Sequence, residues 1–333
     1  MRLLLWIVAA VTVVWCGYWL VVSQSVKGAG TAWFTDRQAE GWIAEYDDLS
    51  VRGFPYRFDT VVENMMLADP DTGVAWSVPD FTVTAMAYRP NHIIALFPER
   101  QVFASPFETV ILTKEDMRAS VRFVPGPSLA LDQATAQLAG IALTSDQGWE
   151  VTLDTGLAAI RRTPVAVDSY DIYFDAKGLR PNDALRLAVD AQNRLPDTFE
   201  AMTLDATVVF DAPWDRFAIE RARPQPTAIT LSSFDAKWGA LELRAVGEAT
   251  LDDRGIPEGT FTIKATNWRE IVAIGEATGA IPAGAVQTVT RMLEVMAGLS
   301  GPANTIDVPV SFKSGFITVA GLPLGPAPRI RLR

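Results

Sequence analysis

The chain has 333 residues, 49% of them apolar and 20% charged, enough length and apolar content to build a sizeable core, which excludes an intrinsically disordered protein. Its formal charge is −10, with 29 Lys and Arg against 39 Asp and Glu, so a nucleic-acid partner would meet repulsion and few phosphate-neutralising side chains. One cysteine and one histidine leave no intrachain disulfide and no zinc site built from His and Cys.

The first element in chain order is "LLLWIVAAVTVVWCGYWLVV", residues 3–22, which carries no charge. As a helix these twenty residues rise about 30 Å, the thickness of a bilayer's hydrocarbon core. A cleaved signal peptide has a shorter apolar region and small residues at its cleavage site, whereas here the run continues through Trp15, Tyr18, Trp19 and Leu20. Residues 1–22 therefore read as an uncleaved N-terminal transmembrane signal anchor. Arg2 and the terminal amine precede the span and favour a cytoplasmic N-terminus with the body outside; Lys27, beyond the span, weakens that vote. Cys16 lies inside the span behind Val14 and Trp15 rather than behind the small residues of a lipobox, and reads as a buried apolar residue.

Residues 23–50 read as a juxtamembrane connector and amphipathic helix. "SQSVKGAG" is a short polar connector; "TDRQAEGWIAEY" offers Thr35 as N-cap, Gln38 at the box position, and Ala39, Trp42, Ile43 and Tyr46 at helical spacing. Asp36, Glu40, Glu45, Asp47 and Asp48 would be repelled by anionic headgroups, so this helix is expected to dock on the protein body.

Residues 51–333 read as one β-rich body. "VRGFPYRFDT" places a Gly-Phe-Pro turn before an alternation in which Phe54, Tyr56 and Phe58 share one face. Period two then dominates. In "LELRAVGEATL" Leu241, Leu243, Ala245, Gly247, Ala249 and Leu251 share one face, and the pattern returns in "WEVTLD", "MTLDATVVF", "GTFTIKA" and "VPVSF". "SDQG", "DDRG" and "KSG" supply the positive φ of tight hairpins. Near the C-terminus, "NWREIVAIGEATG" opens on an Asn267 cap with Glu270 at the box position, and the next segment begins at Pro282 with Val286, Val289, Leu293 and Met296 as its stripe. The expected fold is mainly β (α+β): after the transmembrane helix, an elongated curved antiparallel sheet of long hairpins forming a half-barrel or groove, with a few short helices including a C-terminal pair.

No catalytic motif stands out. His92, in "RPNHIIALFP", has no nucleophile motif beside it; "DPDTG" lacks the remaining ligands of a calcium loop; the adjacent carboxylates Asp47/Asp48 and Asp252/Asp253 would point to opposite faces or into solvent. The chain is expected to be no enzyme and to hold no cofactor or metal.

"VRGFPYRFD", "LDDRGIPEGTFTIKATNW" and "FKSGFITVAGLPLGPAP" together resemble an uncharacterised family of single-pass proteobacterial envelope proteins, similar in turn to the AsmA-like group. The resemblance spans most of the chain. It implies an anchor in the inner membrane, a periplasmic body of long antiparallel strands curled into a groove, and a role in handling phospholipid; it supplies no catalytic residue. The apolar face expected to bind lipid comprises Phe54, Tyr56, Phe58, Met202, Leu204, Val208, Phe210, Leu241, Leu243, Phe261 and Ile263. An ordinary packed core would use the same residues. Two functions follow as expectations: binding or transfer of membrane lipid in envelope homeostasis, or a non-catalytic assembly or scaffold factor for other envelope proteins. A hydrolase would need a cleft joining two carboxylates, or His92 within reach of a hydroxyl.

Overall fold

The computed structural model describes residues 1–164, 166–190, 195–220, 223–279, 281, 283–300 and 304–332. Pro282, the expected helix start, lies outside the described residues. The chain is mainly β with one long apolar N-terminal helix, antiparallel strands and a few short helices, as the alternation predicts. It divides into two compact units: Met1–Phe123 with Ala136–Gly148, and Val124–Thr135 with Trp149–Arg333.

The first unit begins with α1 (Arg2–Ala39), a single helix of 38 residues. The predicted connector does not interrupt it. Ser23, Ser25, Thr31 and Thr35 donate their hydroxyls to the carbonyls of Leu20, Val21, Lys27 and Thr31, so each polar side chain is satisfied by the helix itself. Thr35 is therefore an interior residue, not a cap. The helix ends at Ala39, and Gly41 adopts the left-handed conformation at φ +92°. Trp42, Ile43 and Tyr46 do not continue it: β1 (Ile43–Glu45) pairs with a strand instead, sheet hydrogen bonding overriding helical spacing.

After β1 come β2 (Asp48–Arg52), β3 (Arg57–Asp69), β4 (Val74–Met86), β5 (Arg89–Leu96), β6 (Arg100–Ala104), β7 (Thr109–Thr113) and β8 (Asp116–Phe123); β9 (Leu131–Ser145) brings its later residues to this unit. β1 and β2 lie end to end along one edge of β3, and β4 takes the other edge. β4 then changes partner, pairing β6 through Ala75–Ser77 and β5 through Thr82–Met86. Pro79, with no N–H to donate, falls in the gap between these partners, where a sheet tolerates it. Trp19 and Phe34 of α1 are buried on this sheet. Phe34 joins Ala44, Leu49, Val62, Met65 and Val78 in one core, and Trp19 joins Phe58 and Ala87 in another.

The second unit holds β10 (Glu150–Thr163), β11 (Ser169–Leu179), α2 (Asp183–Val189), β12 (Phe199–Phe210), α3 (Arg216–Glu220), β13 (Pro226–Trp238), β14 (Leu241–Leu251), β15 (Pro257–Thr266), α4 (Trp268–Ala277), α5 (Ala283–Ser300), β16 (Thr305–Lys313), β17 (Phe316–Val319) and β18 (Leu322–Pro326). β10 to β18 pair in sequence order, each antiparallel to the next. The predicted turn glycines Gly148, Gly255 and Gly315 have φ of +84°, +76° and +79°. α4 and α5 pack Trp268, Val272, Val289, Leu293 and Ala297 on Ala265, Ile306, Val308 and Val319. The Val286, Val289, Leu293, Met296 stripe thus faces the core as predicted. Asn267 departs from expectation: its backbone is left-handed, and its side chain donates to the Ala240 carbonyl rather than capping α4.

Candidate functional site

The eleven residues of the expected apolar face fall in two places. Phe54 and Tyr56 lie in the turn between β2 and β3, not on a strand; only Phe58 enters β3. The turn is closed by the N–H groups of Tyr56 and Arg57 donating to the Gly53 carbonyl. Gly53 sits at φ +100°, where a Cβ would come 2.9 Å from the Arg57 carbonyl oxygen. This turn grips α1. The Trp19 ring stacks on Phe58 at 5.7 Å and meets Phe54 edge-on at 5.4 Å. Three polar tips from α1 reach backbone carbonyls of the strand ends: Trp15 Nε1 to Pro55 at 3.1 Å, Trp19 Nε1 to Arg57 at 2.9 Å, and Tyr18 Oη to Ala87 at 2.8 Å. Burial of an aromatic ring with its donor satisfied is the favourable arrangement for Trp and Tyr.

The other eight residues come together on one face of the second unit's sheet. Register sets them in rows across the strands. Phe174, Leu204, Phe234, Ala245, Ile263 and Val308 are successive cross-strand partners, and so are Ala176, Met202, Ala236, Leu243, Ala265 and Ile306. A further row joins Ile172, Ala206, Leu231, Gly247, Phe261 and Val310. The opposite face carries Asp175, Thr203, Asp235, Arg244, Lys264 and Asp307 in the same register. Val208 and Phe210 are buried with Tyr170, and Leu241 is buried too. Leu243 packs on the core under α4 and α5. Met202, Leu204, Phe261 and Ile263 are only half-buried, as are Phe174 and Phe234.

Phe174 and Phe234 extend the face beyond the residues expected there. Phe174 carried a signal, since Tyr170, Ile172, Phe174 and Ala176 alternate in "SYDIYFDA". Phe234 was hidden by a bulge: Leu231 opposes Ala206 and Ser233 opposes Asp205, leaving Ser232 unpaired. The extra residue lets Leu231 and Phe234, three apart, point the same way.

Polar chemistry lies elsewhere. A cleft of about 500 Å³ on the second unit's polar face is lined by Gln133, Arg161, Asp171, Tyr173, Asp205 and Thr207 among others. Asp171 accepts from Arg161 at 3.2 Å and from Thr207 at 2.9 Å, and Asp205 is exposed. In the first unit His92 Nε2 lies 2.7 Å from Ser120 Oγ, so the only histidine does reach a hydroxyl. Among the described residues no carboxylate orients the ring, and the pair stops short of a nucleophile, base and acid. Asp69 accepts from the Asp71 N–H and the Thr72 hydroxyl, making "DPDTG" a self-closed turn. Asp252 accepts from the N–H groups of Ile256 and Arg254, which hold its carboxyl below the usual range. Among the described residues no group of three His, Cys, Asp or Glu side chains could hold a metal ion.

Fold and site together define a β-sheet protein on a single apolar N-terminal helix, with one sheet face apolar and the other charged. The chain matches, over residues 19–328, the family described as an uncharacterised protein conserved in bacteria, DUF2125, and it belongs to that family. No curated protein and no solved structure matches it.

Proposed function

We propose that the protein is held in the inner membrane by α1, with its body in the periplasm, and binds or transfers phospholipid on the apolar face of the second unit. The observation that carries this reading is the row Phe174, Leu204, Phe234, Ala245, Ile263 on one side of a sheet, with the phenylalanines, Leu204 and Ile263 half-buried. A continuous apolar strip with solvent access is what an acyl chain can cover, and alanine and glycine between the larger residues leave it room. The helix supports the membrane half of the reading: it is long and apolar enough to cross, and Arg2 before the apolar run favours a cytoplasmic N-terminus. The resemblance to AsmA-like proteins points the same way. The reading assigns no catalysis.

The test is lipid mass spectrometry of the full chain purified in mild detergent, beside Leu204→Gln and Phe234→Gln. Bound phospholipid at near-stoichiometric amounts, reduced severalfold by either substitution, is the expected result. Equal lipid in all three would remove this face from the function. One stoichiometric envelope protein in place of lipid would turn the reading to assembly or scaffolding.

A further inference from the structure

The anchor and the first unit overlap along the chain. The apolar run covers residues 3–22, yet α1 is already docked on the first unit from Trp15 onward, through the aromatic contacts of Trp15, Tyr18 and Trp19. Residues 2–14 are exposed all round. At 1.5 Å per residue this free stub is about 20 Å long, whereas a hydrocarbon core is about 30 Å thick. A helix tied to the body at Trp15 cannot cross on its stub alone. The strand ends bonded to Trp15, Tyr18 and Trp19 must then enter the membrane's edge.

Those strand ends are suited to it. Beside the Pro55 and Ala87 carbonyls that α1 grips stand Phe54, Tyr56 and Tyr88, which expose 54%, 68% and 63% of their surface. Arg89 follows Tyr88 and is also exposed. Tyrosine with an adjacent arginine is the composition of a membrane interface, ring at the headgroup level and cation toward phosphate. We infer that the two turns at 53–56 and 86–89 sit in the lipid headgroup layer around the anchor, so that Phe54, Tyr56 and Tyr88 touch bilayer lipid. This rests on the reading that α1 crosses a membrane; it is independent of the sheet face in the second unit.

The experiment uses the full chain in phosphatidylcholine nanodiscs, with and without lipid carrying a nitroxide on its headgroup. Cys16→Ser removes the native thiol, and single cysteines at Val8→Cys, Tyr56→Cys, Tyr88→Cys and Phe107→Cys carry an environment-sensitive fluorophore. Phe107 is the control: at 87% exposure it is more apolar surface than either tyrosine, but it lies beyond Ala104, which pairs with Ala75 at the other end of β4, about 35 Å from Met86. With the fluorophore at 8 protected from aqueous iodide, showing the anchor inserted, those at 56 and 88 are expected to lose at least half their emission to the nitroxide while that at 107 is unchanged. An inserted anchor with 56 and 88 as unaffected as 107 overturns the inference, as does equal quenching at 107. Position 8 open to iodide overturns the anchor reading and the inference with it. Photolabelling of the unsubstituted chain by a diazirine lipid gives a second measurement, with adducts expected at 53–56 and 86–89 and not at 105–108; the reverse distribution overturns it.

Discussion

Trp19 has two environments at once. Its place in a charge-free run suits a bilayer, but its ring is buried between Phe54 and Phe58 and its indole N–H donates to the Arg57 carbonyl. Substitutions separate the two contributions. Trp19→Ala should lower the stability of the first unit by about 3–5 kcal/mol through lost packing and the cavity left behind. Trp19→Phe keeps a ring to stack and should cost about 1 kcal/mol for the lost hydrogen bond. Urea unfolding in detergent micelles reads both, and equal losses would mean that the ring's packing contributes nothing. The sequence showed Trp15, Tyr18 and Trp19 at helical spacing and Gly53 and Pro55 as turn residues. It did not show that one set grips the other, because the carbonyl acceptors lie 38 to 69 positions away and any strand end offers a carbonyl.

Among the elements, the regular strands were legible because their faces differ. Every second residue of β14 from Leu241 to Leu251 is at least partly buried, as its alternation requires. What periodicity could not reveal was a change of phase. In β13 the bulge at Ser232 lies opposite both β12 and β14: pairings pass from Leu231 with Ala206 and Gly247 to Phe234 with Leu204 and Ala245. Deleting Ser232 would therefore leave both ladders continuous and every apolar residue on its present face. The deletion is expected to fold and to melt within a few degrees of the parent, whereas inserting one residue after Ala236 flips Lys237 toward the apolar face and should abolish cooperative melting. Circular dichroism against temperature checks the pair; a Ser232 deletion that fails to fold would show that the bulge's local twist, rather than residue phase, shapes the sheet. The unbroken course of α1 through the predicted connector has a related cause. Glycines and serines in "SQSVKGAG" lower helix propensity locally, but the stripe Trp19, Ser23, Phe34 is buried along the first unit and tertiary packing holds the helix through them.

For the molecule as a whole, the apolar N-terminal segment is a structural part of the first unit rather than a detachable tether. A chain beginning at Ser23 would lack Trp15, Tyr18 and Trp19 and leave Phe58 and Ala87 uncovered; one beginning at Trp15 would keep them. Limited proteolysis in detergent is expected to cut the shorter chain rapidly between residues 51 and 90 while sparing the longer one, with the second unit equally protected in both. Equal protection of the first unit would show the contacts to be dispensable. The packing of α1 also has a bearing on synthesis. Both clusters that seat the helix draw on nothing beyond Ala87, so a nascent polypeptide can clamp its own first helix while the ribosome has yet to make the strands that carry the half-buried Phe174, Phe234 and Phe261. By the time that apolar surface emerges, the first helix already has its seat.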